Sequence, residues 1–167
     1  MTAGGVQGKP TVVTRMSDEQ TKPRRLTLND LCEEPFRLFF PSAVIIGLLG
    51  VAQWPLYFGG YIEHFPALGH SRLMAFGFFG GFIAGFLGTA GPRMLSAKPL
   101  RFAELAALFT LYWTVAGCHL AGRIVAGEIA LIVWLLCLGG VAFTRFLGRR
   151  DMPPPGFVLV PLAFFCA

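Results

Sequence analysis

The sequence predicts an all-α protein, a polytopic transmembrane helix bundle of four full spans plus the start of a fifth. Three observations carry that reading. Hydrophobic residues make up 54% of the chain and charged residues only 14%, well under the charged share of about a quarter in soluble domains. The apolar residues are grouped in long blocks, near the ~20 residues a helix needs to cross a hydrocarbon core of ~30 Å. The basic residues fall at the ends of those blocks, which is a membrane pattern and not a nucleic-acid-binding face, despite a net charge of +5.

In chain order, residues 1–30 form a cytoplasmic arm. Positions 1–26 are rich in Gly, Thr and charge, lack periodicity and are expected to be disordered. No short apolar h-region occurs there, so no cleavable signal is expected. A short interfacial helix follows, with Asn29 or Asp30 as its candidate cap and Glu33 and Glu34 in its first turn. The transmembrane domain, 31–167, is expected to place spans at about 38–57, 70–90, 102–120 and 124–147. Trp54 and Tyr57 suit the far interface of the first. Pro92 and Pro99 bound the turn after the second, and Pro153–Pro155 bound the end of the fourth. The last apolar stretch, Gly156–Ala167, is too short to span. It reads as a partial fifth helix (157–167) in the N-terminal part of a longer protein.

Orientation follows from Lys and Arg. Lys9, Arg15, Lys22, Arg24, Arg25 and Arg37, then Arg93, Lys98 and Arg101, then Arg145, Arg149 and Arg150 fall on one side, 12 of the 14 basic residues. The positive-inside rule makes that side, and the N-terminus, cytoplasmic. The three histidines, His64, His70 and His119, then all lie at the outer ends of their segments.

Cys32, Cys118, Cys137 and Cys166 show no paired spacing, so neither a disulfide framework nor a zinc site is read. No acid–base pair, nucleophile triad, P-loop or dinucleotide fingerprint is present. Whether the protein turns over a substrate is left open.

The polar residues in the apolar blocks each have two readings. His70 begins a stripe with Met74, Phe78, Phe82 and Phe86 at i+4 steps. It is either an interfacial histidine above apolar filling, or a haem ligand above an aromatic porphyrin face. Arg72 and Arg123 either snorkel to lipid headgroups or pair with an acidic cofactor group. Gly77, Gly81, Gly85 and Thr89 recur every fourth residue. They give a small-residue face for close approach by other transmembrane helices, or room for a flat cofactor; a homo-oligomer is compatible with that face. Glu104 and Glu128 are intramembrane candidates or lie near enough to the interface to be solvated. His119, beside Cys118, is a further candidate ligand.

Two stretches resemble a known family. Phe36-Arg37-Leu38-Phe39-Phe40 resembles the Phe-Arg-Pro-Phe-Phe entry to the first span of the NnrS family. His70-Ser-Arg-Leu-Met-Ala-Phe-Gly-Phe78, followed by Ile83-Ala-Gly-Phe86 and Thr89-Ala90, is similar to that family's His-x-His-Glu-Met-x-Phe-Gly-Phe…Ile-Ala-Gly-Phe…Thr-Ala signature. The resemblance implies a bacterial inner-membrane protein containing haem and copper, linked to the response to nitric oxide and nitrosative stress. By position, His70 matches the first motif histidine, Met74 the methionine and Arg37 the entry arginine. On this reading His70 is the leading ligand for haem or metal, followed by Met74, His119 and His64. Arg37, Arg72 and Arg123 would hold acidic cofactor groups or headgroups. Arg72 and Leu73 replace the motif's second histidine and its glutamate. Arginine stays protonated and is a poor metal ligand, so a site using both histidines would be altered. Those two replacements favour the alternative, a cofactor-free membrane scaffold or transport-assembly protein.

Overall fold

A computed structural model describes residues 27–152, and among them there are five helices and no strand. The expected disordered arm (1–26) and partial fifth span (157–167) lie outside the described residues.

Helix α1, Leu28–Glu33, is short. Its cap is Thr27, not Asn29 or Asp30. The Thr27 hydroxyl accepts from the Asp30 backbone N–H at 3.3 Å, and the Asp30 carboxylate accepts from the Thr27 N–H at 2.9 Å. This reciprocal box satisfies two otherwise unpaired donors with one pair of side chains. It moves Asp30 into the first turn and leaves Glu33 and Glu34 at the helix end, where the sequence reading had them at its start.

Helix α2, Phe36–Phe58, carries Pro41 and Pro55 inside it, which membrane helices tolerate because neighbouring groups re-satisfy the freed backbone. Helix α3 runs unbroken over Ala67–Met94, longer at both ends than the expected 70–90. Gly91-Pro92-Arg93 was expected to stop it, yet Pro92 is buried inside the last turns. The turn comes at Ser96, whose φ of 47° is left-handed, with the Ala97 N–H closing back on the Pro92 carbonyl at 2.8 Å. Within α3, Leu73–Phe79 is a π-helix, a local widening in which backbone bonds run from i to i+5. Helices α4, Phe102–Leu120, and α5, Ile124–Leu147, form an antiparallel hairpin through Gly122 at φ 68°.

Three of these helices, α2, α3 and α5, are long and apolar enough to cross a membrane. That is one fewer than the four full spans expected. Helix α4 has the length, 19 residues, but Glu104 and His119 inside it hold down its apolarity. The outward faces are what lipid contact requires: Leu48 and Leu136 are 68% and 70% exposed, and such large apolar surfaces do not suit water. The core between the helices contains Phe39, Ile46, Leu73, Leu105, Leu108, Tyr112, Trp134 and Leu138.

The small-residue row on α3 meets its neighbours inside the chain. A Cβ at Gly77 would stand 2.4 Å from Ile46 Cγ2, and one at Gly85 would stand 2.9 Å from the Phe40 ring, both on α2. At Gly81 it would strike the Tyr112 hydroxyl of α4 and lie 2.8 Å from Ala43 Cβ. The Tyr112 hydroxyl donates to the Gly77 carbonyl, and Trp134 Nε1 donates to the Leu108 carbonyl at 3.1 Å. Glycine therefore brings α2, α3 and α4 to near backbone contact.

Candidate functional site

The chemistry-bearing side chains separate into two ends. The histidine end comprises the end of α2, the start of α3 and the α4–α5 turn. The arginine end comprises α1, the start of α2, the α3–α4 connection and the end of α5.

At the histidine end, His70 is half-buried on the first turn of α3. Its Nδ1 lies 2.9 Å from the Gly50 carbonyl oxygen of α2. A carbonyl only accepts, so Nδ1 carries the proton and the neutral ring keeps its lone pair on Nε2. The Trp54 ring packs at 6.0 Å, tilted by 66°. A Cβ at Gly50 would also lie 3.6 Å from Met74 Sδ, so the imidazole and the thioether both lean on the Gly50 turn of α2. The aromatic stripe below continues down the same helix. Phe78 fills the space beside Gly47, and Phe82 packs on Phe40 with ring centroids 4.8 Å apart and planes tilted by 53°. Only Phe86, 54% exposed, leaves the row. The stripe proposed as a porphyrin face is thus taken up by α2.

His119 is fully buried near the end of α4. Its Nδ1 lies 2.8 Å from the Val115 carbonyl oxygen, one turn back. Its Nε2 lies 3.7 Å from Glu128 Oε1 of α5. Gly127 makes that position available, since a Cβ there would sit 2.5 Å from the imidazole Cε1. The same Glu128 oxygen accepts from Arg72 Nε at 2.7 Å, so Arg72 is part of an ion pair joining α3 to α5. His64 lies beside Gly122 of the turn, with its Nδ1 3.1 Å from a Cβ built there. Beneath them is a residue the sequence reading passed over. Gln53 of α2 is 2% exposed, and neither amide atom has a hydrogen-bond partner among the described residues. The available signal was a lone amide within the apolar run Leu38–Tyr57.

At the arginine end, Glu104 accepts from Arg145 Nη1 at 2.9 Å and from the Arg101 N–H at 2.8 Å, and Arg145 Nη2 donates to the Pro99 carbonyl at 3.1 Å. Glu34 binds Arg37 of α2 and Arg93 of α3. Those two hydrogen bonds, Arg37's first, hold the Glu34 carboxyl below the ordinary carboxylate range.

Four of the five residues expected to bind a cofactor or metal, His64, His70, Met74 and His119, therefore share one end. Arg37 does not join them. It lies 13 residues from Gly50 along α2, roughly 20 Å at 1.5 Å per residue, and its partner is Glu34. Among the described residues no group of three or more His, Cys, Asp or Glu side chains could hold a metal ion. Among the described residues the donors do not gather into a multi-ligand metal site; His70, with its Nδ1 bonded to a carbonyl, would offer Nε2 as a single ligand.

A family model, described as NnrS protein, matches residues 30–167. Nothing among the curated proteins or the solved structures matches the chain. The family match includes the bonded His70, the glycine face of α3 and all five helices apart from the first two residues of α1, and the chain belongs to the NnrS family.

Proposed function

We propose that this NnrS-family membrane protein binds haem through His70 Nε2 and serves in the bacterial response to nitric oxide and nitrosative stress. One observation carries the ligand assignment: the hydrogen bond of His70 Nδ1 to the Gly50 carbonyl. A metal-ligating histidine almost always uses its other ring nitrogen this way, which fixes the tautomer and raises the basicity of the ligating nitrogen. His119 is the weaker candidate, because its Nε2 faces Glu128 in a fully buried position. Bound haem supplies an iron that takes up diatomic ligands; the chain's part is to orient one imidazole at the membrane boundary. The placement read with it is the inner membrane with a cytoplasmic N-terminus. Its support is that Arg93, Lys98, Arg101, Arg145, Arg149 and Arg150 share one end while Arg72 and Arg123 occupy the other.

A second reading, a cofactor-free scaffold, draws on the occupation of the aromatic stripe by α2 and of Arg72 by Glu128. Absorption spectra of the purified protein separate the two. A Soret band that is lost or displaced in His70→Ala, and retained in His119→Ala, supports the haem reading. Absence of the band from protein produced with ample haem favours the scaffold.

A further inference from the structure

One glycine of α3 departs from the packing of its row. A Cβ at Gly77, Gly81 or Gly85 would strike a neighbouring side chain, whereas one at Gly91 would meet no atom within 4 Å among the described residues. Gly91 lines a groove at the arginine end, where the last turns of α3 and α5 stand apart over a floor contributed by Leu100 and Leu108. Apart from Arg145, every residue lining the groove is apolar.

Its dimensions narrow the occupant. From Ala84 to Leu95 the groove follows α3 for about 16 Å at 1.5 Å per residue, close to one leaflet of a hydrocarbon core of ~30 Å. Its volume, counted out to the open mouth, is about 460 Å³. Spread over that depth, this leaves a cross-section of roughly 30 Å², a channel about 6 Å wide. A single polymethylene chain fits, since carbons pack at ~4 Å. A helix, ~10 Å across, cannot enter.

Charge at the mouth completes the match. Arg145 is already paired with Glu104. Around it, Lys98 lies between the lining residues Leu95 and Leu100, Arg149 follows Arg145 by one turn, and the Arg150 N–H donates to the Leu95 carbonyl at 3.0 Å. Lys98, Arg149 and Arg150 are exposed and make no ion pair among the described residues. Basic residues at the boundary end of a cleft between membrane helices are suited to acidic lipid headgroups.

We propose that this groove holds one acyl chain of an anionic phospholipid, with the headgroup phosphate held by Lys98, Arg149 and Arg150. The site lies at the opposite end of the bundle from His70, and the inference is independent of whether His70 holds haem.

Photo-crosslinking of the full chain tests it, in phosphatidylcholine nanodiscs doped with phosphatidylglycerol that carries a diazirine on its acyl chain. Mass spectrometry is expected to find the label concentrated on the groove, at Leu87–Leu95 and Leu138–Ala142. Label as strong on outward residues of α2 such as Val44 and Leu48 overturns the proposal, because lipid then merely surrounds the protein. Gly91→Leu fills the groove from a position with open space beside it, and should lower the groove label several-fold. An unchanged yield overturns the proposal and is the result expected if a protein segment covers the groove. Replacing Lys98, Arg149 and Arg150 together by Gln should abolish a preference for phosphatidylglycerol over an equally labelled phosphatidylcholine of about tenfold or more. A preference that is absent from the unaltered protein, or that survives the triple change, overturns the headgroup assignment and with it the proposal. Should Gly91→Leu fail to fold, the label distribution on the unaltered chain still decides.

Discussion

Glycine serves opposite purposes in two regions of this bundle. Along α3, Gly77, Gly81 and Gly85 face Ile46, Tyr112 with Ala43, and Phe40, so the missing side chains admit apolar groups and a neighbouring helix. At the histidine end, Gly69, Gly122 and Gly127 face Gln53, His64 and His119, so the missing side chains admit polar ones. In the first region any added carbon displaces a packed neighbour, as in a close-packed crystal. In the second it meets a buried polar side chain, which must shift to make room. The same residue type thus sets rigidity in one place and chemistry in the other.

The largest effect that would sharpen this contrast is overpacking of the apolar row. Gly81→Val puts branched carbon into the Tyr112 hydroxyl and Ala43, and should destabilise by about 3 kcal/mol or prevent folded expression. Thermal unfolding in detergent, or the yield of monodisperse protein, checks this. Next comes the ion pair at the arginine end. Arg145 is 12% exposed and shares Glu104 with the Arg101 N–H. Glu104→Gln leaves that guanidinium under-compensated and should cost about 2 kcal/mol, less than the roughly 3–5 kcal/mol of a fully buried pair because Glu104 is 27% exposed. The corresponding pair at the histidine end is more open, with Arg72 and Glu128 each about one-third exposed. Glu128→Gln should cost about 1 kcal/mol or less. If Glu128→Gln proved the more damaging of the two, the polar end would be the mechanical centre of the bundle and the contrast would fail.

The smallest effect concerns pH. The folded-state pKa of Glu34 is depressed by Arg37 and Arg93. Its contribution is therefore complete above the ordinary carboxylate value and is lost as pH falls through the lowered folded value. Glu34→Gln should melt slightly below the unaltered protein at neutral pH, and the two curves should converge in acid. Melting temperatures across an acid-to-neutral series read the difference.

The helices were legible in the sequence where apolar blocks end in strong punctuation. The expected 102–120 and 124–147 coincide with α4 and α5, because Pro99, Gly122 and Gly148 fix their limits. The second segment was harder, since Gly91-Pro92 has the look of a terminator, and only burial among neighbouring helices keeps Pro92 helical. The π-segment was invisible to a reading that assumed steps of 3.6 residues throughout. At the candidate site, the histidines could be assigned to one end from charge asymmetry alone. Arg72 and Glu128 lie 56 residues apart, and no spacing rule connects them. Gln53 went unnoticed because its significance lies in what it lacks, and a partner's absence becomes visible only when the neighbours are in place.

The widened turn of α3 has a consequence for the molecule's phase. Residues 73–79 set the angular offset between the half of the helix bearing His70 and Arg72 and the half bearing Gly81 and Gly85. Tightening these residues to ordinary helical winding with none removed would rotate one half against the other by about 100°. The glycine row would stay meshed with α2 while Arg72 swung away from Glu128 and His70 from the Gly50 carbonyl. The seven residues act as a clocking sleeve between two otherwise independent docking surfaces.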